Sequence, residues 1–215
     1  MNETSNPPRT LLNALLTQAG LDPLDQVLSQ RFQDYLSLLL RWNARVNLTA
    51  IRDEEGIISR HFVESIVCVR ALPIGIATLL DFGSGAGFPG IPIALCRAEI
   101  VVTLAESQGK KAAFLSEAVR VLGVSARIHS GRAEDLGSQF DCVTLRAVDK
   151  MELAVKAASS LVRPGGWLAL MTTVTDLPAL QKAAGMEFIW ISAVPLSGSE
   201  DRLIALAERA ISLPT

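Results

Sequence analysis

The stretch Leu79-Leu80-Asp81-Phe82-Gly83-Ser84-Gly85-Ala86-Gly87-Phe88-Pro89-Gly90 is an apolar run that closes on a carboxylate and opens into glycines at alternate positions. Glycine accepts positive φ and carries no Cβ, so a ligand can come close to the backbone while the following helix turns its free N–H groups toward it. Such a turn handles a nucleotide. Two registers fit it: Gly83-x-Gly85-x-Gly87 suits S-adenosylmethionine, and Gly85-x-Gly87-x-x-Gly90 spells the dinucleotide fingerprint. Farther along, Glu106 ends the next apolar run, where an acid can accept hydrogen bonds from both ribose hydroxyls of an adenosine lying across the strand ends. Both cofactors call for that acid.

Two later segments separate them. Gly131-Arg132-Ala133-Glu134-Asp135 follows the third β-rich run as a polar turn able to read an adenine edge. Leu161 to Trp167 spells the LxxPGG turn common to class I methyltransferases, and the single tyrosine, Tyr35, lies in an N-terminal helix, so a Tyr-x-x-x-Lys hydride-transfer pair is absent. Methyl transfer is thus the leading reading, with an NAD-dependent oxidoreductase as the alternative. Transfer from a sulfonium is an in-line displacement in which the enzyme supplies proximity and orientation. After the fourth β-run, Asp141 to Val148 contain no (Asp/Asn)-Pro-Pro-aromatic turn for an exocyclic amine, and Cys142 lies within the run rather than in a nucleophile motif. A ring nitrogen such as guanine N7 has a free lone pair and needs no base; an arginine on O6 or on a flanking phosphate suffices.

These residues need a frame. From Ala77 onward, β-rich runs alternate with helical ones, the signature of a parallel sheet with crossovers. Strands are expected over 78–81, 101–106, 126–130, 140–145, 167–172, 187–194 and 203–208, the last two as a hairpin. Helices are expected over 89–96, 110–122, 150–161 and 177–184. Upstream, residues 1–9 read as a tail, 11–19 and 24–42 as helices, and a third helix starts from an Asp53 cap and ends at Pro73. The expected division is a helical cap over 1–75 and a Rossmann-like methyltransferase domain over 76–215.

Hydrophobic residues at 49% and charged residues at 20% describe a globular chain rather than a disordered one. The net charge of −2 argues against a broadly basic nucleic-acid-binding surface, although a local cluster drawn from twenty Lys and Arg can still hold phosphate. No run is apolar enough to span a bilayer and no signal pattern opens the chain, so a cytoplasmic protein is expected. Cys68, Cys96 and Cys142 lie far apart without metal-ligand spacing and read as small buried hydrophobes, with no metal site expected.

The chain resembles the bacterial glucose-inhibited division protein B family, the 16S ribosomal RNA guanine-N7 methyltransferases also called RsmG. The matching stretches are Trp42-Asn43 through Thr49, Arg60-His61 through Ile66, the Asp81 to Pro92 turn, Glu106-Ser107 with Lys110-Lys111 and Phe114-Leu115, Arg132-Ala133-Glu134, and Leu145-Arg146-Ala147. The resemblance implies a class I fold with a seven-stranded sheet whose last strand is antiparallel. It implies that Gly83, Phe88, Ala133, Glu134 and Arg146 contact S-adenosylmethionine, alongside Gly85, Gly87 and Glu106 from the turn and the second strand. It further implies that Arg132 and Arg146 border the guanine pocket as catalytic residues and that Arg60, His61, Lys110 and Lys111 meet RNA. The partner would be 16S RNA or the 30S subunit, the target a guanine in the helix 18 loop, and the protein a monomer.

Plainer readings stand beside these. His61 also suits a hydrogen-bonded helix position at the cap interface, and lysines in the first turn of a helix, as at Lys110 and Lys111, are commonly just solvated. Arg132 and Arg146 are expected to be unpaired at strand ends, which favours function over structure. The chain departs from the family at Glu64 and at Glu106 with a carboxylate kept, and at Met171 and Leu203, where the family usually has Lys and His. Those last two losses keep alternatives open: a small-molecule methyltransferase with the same cofactor, or a ribosome-binding module without activity.

Overall fold

The computed structural model describes residues 8–196 and 198–211. Most of the expected N-terminal tail lies outside them; helix α1 (Pro8–Gln18) begins at once with the described residues. Helix α2 (Gln26–Asn43) starts where the Asp25 carboxylate accepts the Leu28 N–H at 2.8 Å, and it buries Phe32, Tyr35, Leu36 and Leu39 along one stripe. Asp53 caps the next helix by accepting from Gly56 N at 2.7 Å.

That next helix differs from its sequence pattern. It runs as α3 (Glu54–Ile57), a π-helical segment over Ile58–Val63, and α4 (Glu64–Ala71). The wider turn carries Arg60 and His61, and the inward spacing of Ile57, Ile58, Phe62 and Ile66 is met by a local change of pitch that periodicity alone does not reveal.

Seven strands follow: β1 (Thr78–Phe82), β2 (Val101–Ala105), β3 (Ala126–His129), β4 (Phe140–Arg146), β5 (Val162–Thr173), β6 (Phe188–Pro195) and β7 (Arg202–Arg209). They form one sheet in the order β3-β2-β1-β4-β5-β7-β6, parallel throughout β1 to β5, with β7 inserted antiparallel to both β5 and β6. Helices α5 (Gly90–Cys96), α6 (Gly109–Leu122), α7 (Met151–Leu161) and α8 (Leu177–Ala184) cover its faces, so the central strands are buried on both sides and read as continuous apolar runs. Seven strands and a closing hairpin are as the sequence pattern indicates, and the antiparallel seventh strand is as the family resemblance implies.

The LxxPGG segment is not a free turn before β5. Val162 already pairs with Phe140, and the register then jumps so that Trp167 faces Cys142, which leaves Arg163 to Gly166 as a bulge inside the strand. Gly166 has no room for a side chain there: a Cβ would come within 2.9 Å of both the Arg163 and Asp141 carbonyls.

The N-terminal helices pack directly on this body. Arg31 donates to the Leu122 and Gly123 carbonyls at the C-terminal end of α6, where a cation complements the helix dipole. Trp42 Nε1 donates to Glu117 at 3.0 Å, and its ring meets Phe114 edge-on. One hydrophobic cluster runs from Leu12 and Leu16 through Phe62 and Phe88 to Val102 and Ile204. The order in which strands are added reverses at β1, with β2 and β3 on one side of it and β4 on the other; at such a switch point the carboxyl ends of the strands open a crevice.

Candidate functional site

The glycine turn occupies that crevice. Ser84 N–H donates to the Ala105 carbonyl at 2.9 Å and Ser84 Oγ to the Asp81 carbonyl at 2.9 Å, which pins the turn to both strands. Asp81 is buried; its carboxylate accepts from Gly90 N at 3.1 Å and from Thr144 Oγ1 at 3.0 Å, so it ties β1 to β4 and to the start of α5. Burial pushes its carboxyl up to about 6. Gly90 permits this contact, since a Cβ there would meet Leu104 at 2.3 Å and Asp81 Oδ2 at 2.6 Å. The apparent dinucleotide register therefore ends on a packing glycine rather than a ligand-facing one.

Glu106, at the end of β2, points into the crevice. It accepts Gly85 N at 2.9 Å on one oxygen and Gln108 N at 2.7 Å on the other, and each oxygen keeps a lone pair. Three hollows lie side by side along the strand ends. The first, about 420 Å³, is walled by Gly83, Gly85, Phe88, Glu106, Lys111 and Arg146. The second, about 430 Å³, shares Gly83 and Glu106 with it and extends past Gly131 to Glu134. The third, about 360 Å³, shares His61, Arg146 and Ala147 with the first and reaches Met151, Met171 and Arg202.

At the wall between the first and third hollows lies a charged cluster. Glu64 is buried, with one oxygen accepting from Arg60 Nε at 3.1 Å and Arg202 Nη2 at 2.9 Å, and the other from Arg146 Nη2 at 2.8 Å. Arg146 Nη2 also donates to the Arg60 carbonyl at 2.5 Å. Burial and the neighbouring Arg60 and Arg202 charges pull the Arg146 guanidinium below its usual range, while Glu64 opposes them. His61 stacks on Phe88 with centroids 4.7 Å apart, and its Nε2 meets Thr49 Oγ1 at 2.7 Å. Burial first, then the two adjacent guanidiniums, lower its pKa to about 3, so it is neutral at physiological pH.

A model of the family described as rRNA small subunit methyltransferase G matches residues 28–202. The chain belongs to that family. Among curated relatives named Ribosomal RNA small subunit methyltransferase G, that of Roseiflexus sp. strain RS-1 is 38% identical over 204 residues, covering 88% of this chain and 87% of the relative. The one from Stenotrophomonas maltophilia strain K279a is 44% identical over 165 residues, 73% of this chain and 77% of the relative. Solved structures resemble it in fold. A methyltransferase from Pyrococcus furiosus aligns over 85% of this chain and all of its own (100%) at TM-score 0.62 with 14% identity. Pyrococcus horikoshii TYW2, in complex with MeSAdo, aligns over 68% of this chain and 62% of its own at TM-score 0.57 with 13% identity.

Of the residues singled out in the sequence, Gly83, Gly85, Phe88, Glu106, Lys111, His61 and Arg146 meet around the first hollow, and Arg132, Ala133 and Glu134 line the second. Gly87 does not line a hollow: a Cβ there would meet Ile91 at 2.5 Å and Tyr35 Oη at 2.8 Å, so its role is to let α2 approach the turn. Lys110 is exposed and off the wall, one position from Lys111, which is on it. The expectation of unpaired arginines is corrected. Arg132, with a side chain 73% exposed, binds Glu134 at 2.9 Å, and Arg146 binds Glu64. The two lie in separate hollows rather than around one.

Three contributors escaped the sequence reading. Tyr35 is buried and donates from its hydroxyl to the Ala86 carbonyl at 2.5 Å, bracing the glycine turn from the cap. Glu64 and Arg202 entered only as family departures or their neighbours, because nothing in the chain order pairs positions so far apart. The three cysteines are free thiols, and burial pushes Cys68 and Cys96 up to about 12. Among the described residues no cluster of His, Cys, Asp and Glu could hold a metal ion, and no helix is long and apolar enough to cross a membrane.

Proposed function

We propose that the protein transfers the methyl group of S-adenosylmethionine to N7 of a guanine in the helix 18 loop of 16S ribosomal RNA. The observation that carries this reading is the place of Arg146: it stands on the wall common to the hollow bearing the glycine turn and the one bearing Met171 and Arg202. A donor in the first hollow and an acceptor base in the third would meet at its guanidinium.

The first two hollows fit the cofactor by their donor set. Glu106 keeps free lone pairs for ribose hydroxyls, and the joined length of the hollows accommodates a nucleoside with an amino-acid arm. Gly83 and Gly85 leave the backbone open to it, and Ala133 and Glu134 face the adenine end. When bound, the cofactor supplies an electrophilic methyl on sulfur. The chain's own residues orient the acceptor and exclude water.

The protonation chemistry of the site's own groups supports a ring-nitrogen acceptor. Glu64 is engaged by three guanidiniums, and His61, with a pKa of about 3, is too weak a base to deprotonate an exocyclic amine near neutral pH. Asp149 and Asp176 are exposed at the rims. An atom that already presents an in-plane lone pair, such as guanine N7, needs none of them. Arg146 is the catalytic residue in this reading, and Arg132 belongs to the cofactor end. Arg60, Lys110 and Lys111 ring the mouth as RNA contacts, with His61 supporting Phe88. Residues 1–75 act as a cap that braces the turn of the 76–215 body, and the protein works as a monomer in the cytoplasm.

The test is transfer of labelled methyl from S-adenosylmethionine to unmethylated 30S subunits and to naked 16S RNA. Incorporation into one of them, lost in R146A, is the expected result. Incorporation into neither, or labelling of a small molecule instead, would overturn the reading.

A further inference from the structure

The third hollow has an electrostatic imbalance that a purely structural ion network would not keep. Three guanidiniums, Arg60, Arg146 and Arg202, converge on the single buried carboxylate of Glu64 and leave the cluster at a net +2. Arg146 Nη1 and Arg202 Nε are buried without a partner among the described residues. Buried donors are nearly always paired, and uncompensated buried charge is costly. Among the described residues the one other carboxylate on this wall, exposed Asp176, accepts from Thr173 Oγ1 at 2.8 Å at the rim. Arg60 and Arg202 each keep an accessible part, with side chains 45% and 22% exposed. The rest of the hollow's lining mixes His61, Thr172 and Thr173 with the apolar Ala147, Met151, Met171 and Leu196.

We propose that the arginine-lined side of this hollow, next to the place of the acceptor base, seats a backbone phosphate of the RNA beside the target nucleotide, taken by Arg202 and Arg60, with Arg146 completing the charge behind them. Glu64 is then a positioning residue that holds three like-charged groups together until the phosphate arrives. Guanidinium suits the task because its planar fork matches phosphate oxygens. The location is apt: the seat adjoins the wall where cofactor and acceptor would meet, so a seated phosphate fixes the rotation of its own nucleotide. The family's usual Lys and His are replaced here by Met171, which lines the hollow, and by Leu203, which is buried, and this concentrates the anion-binding burden on the arginines. The proposal rests on the reading of RNA as substrate.

The test measures equilibrium binding to unmethylated 30S subunits and 16S RNA across a potassium chloride series, alongside methyl transfer and S-adenosylmethionine affinity, for the wild type, R202Q, R202K and R60Q. Loss of one phosphate contact lowers the slope of log K against log salt by roughly one. R202Q and R60Q are expected to show that drop with about tenfold weaker RNA binding at low salt, while S-adenosylmethionine affinity stays within about twofold. R202K is expected to keep the slope, because it keeps the charge. R60Q, altered at the most exposed of the three arginines, keeps the test open should R202Q fail to fold. An unchanged slope in R202Q and R60Q, with methyl transfer intact, would overturn the phosphate seat alone; a wild type that transfers no methyl yet shows the slope change would overturn the reaction and leave the seat standing. Inorganic phosphate at constant ionic strength identifies a free-anion site. If it raises the melting temperature of the wild type but not of R202Q while the RNA slope is unchanged, the assignment to RNA fails.

Discussion

Two titratable side chains beside the glycine turn, buried Asp81 and half-buried His61, drive the pH dependence of stability in opposite directions. Asp81 holds its proton up to about 6 when folded, against roughly 3.9 unfolded, so the native state binds the extra proton and its stability falls as pH rises between those values. His61 resists protonation down to about 3 when folded, against roughly 6.5 unfolded, so its contribution rises with pH over that interval. From about pH 4 to 6 the two oppose each other. Urea unfolding of D81N is therefore expected to show stability rising by about 1.4 kcal/mol per pH unit in that window, and H61Q the opposite trend. Slopes like the wild type in both variants would contradict these environments. Glu106 gives a simpler expectation: E106A removes the acceptor for Gly85 and Gln108 N–H and the ribose contact, and calorimetry is expected to show about a hundredfold weaker S-adenosylmethionine binding. Residues of this local kind were legible in the sequence, because a glycine turn and the acid after the next strand are fixed by short-range order. The pairing of Glu64 with Arg146 and Arg202 was not, since it depends on where the π-helical turn and the inserted β7 bring three distant segments together.

At the scale of elements, helix α2 acts on the site through one atom. Tyr35 reaches from its buried face to the Ala86 carbonyl, stacks near Phe62 and Phe88, and fits only because Gly87 has no side chain. Y35F leaves that carbonyl without its donor, a loss of about 1–2 kcal/mol in stability. The accompanying expectation is several-fold weaker S-adenosylmethionine binding with RNA affinity unchanged. Chemical denaturation and calorimetry check the pair of effects; weakened RNA binding with normal cofactor affinity would contradict the bracing role. The strands were readable because those buried on both faces are uninterrupted apolar runs, and the final hairpin because no helical spacing separates β6 from β7. What periodicity missed were changes of pitch and register. The helix after Asp53 widens into a π turn, and the LxxPGG segment becomes a bulge already hydrogen-bonded into β5. Both are set by the partner element rather than by the segment itself.

For the whole molecule, a net charge of −2 and an RNA substrate are reconciled by concentration of charge: the surplus of positive groups lies in one hollow rather than over the surface. The hydrophobic cluster continuous from α1 to the sheet predicts that cap and body unfold together, so scanning calorimetry is expected to show one transition with equal calorimetric and van't Hoff enthalpies. Two separate transitions would contradict a shared core. The account's central claim, methyl transfer to guanine N7 in the small-subunit RNA, is tested most directly by mass mapping of modified nucleotides in 16S RNA from cells with and without the gene for this protein. The account predicts one 7-methylguanosine in the helix 18 loop that disappears with the gene and returns with the wild type but not with R146A. An unchanged modification map, or a methyl group lost from a different atom or base, would contradict it.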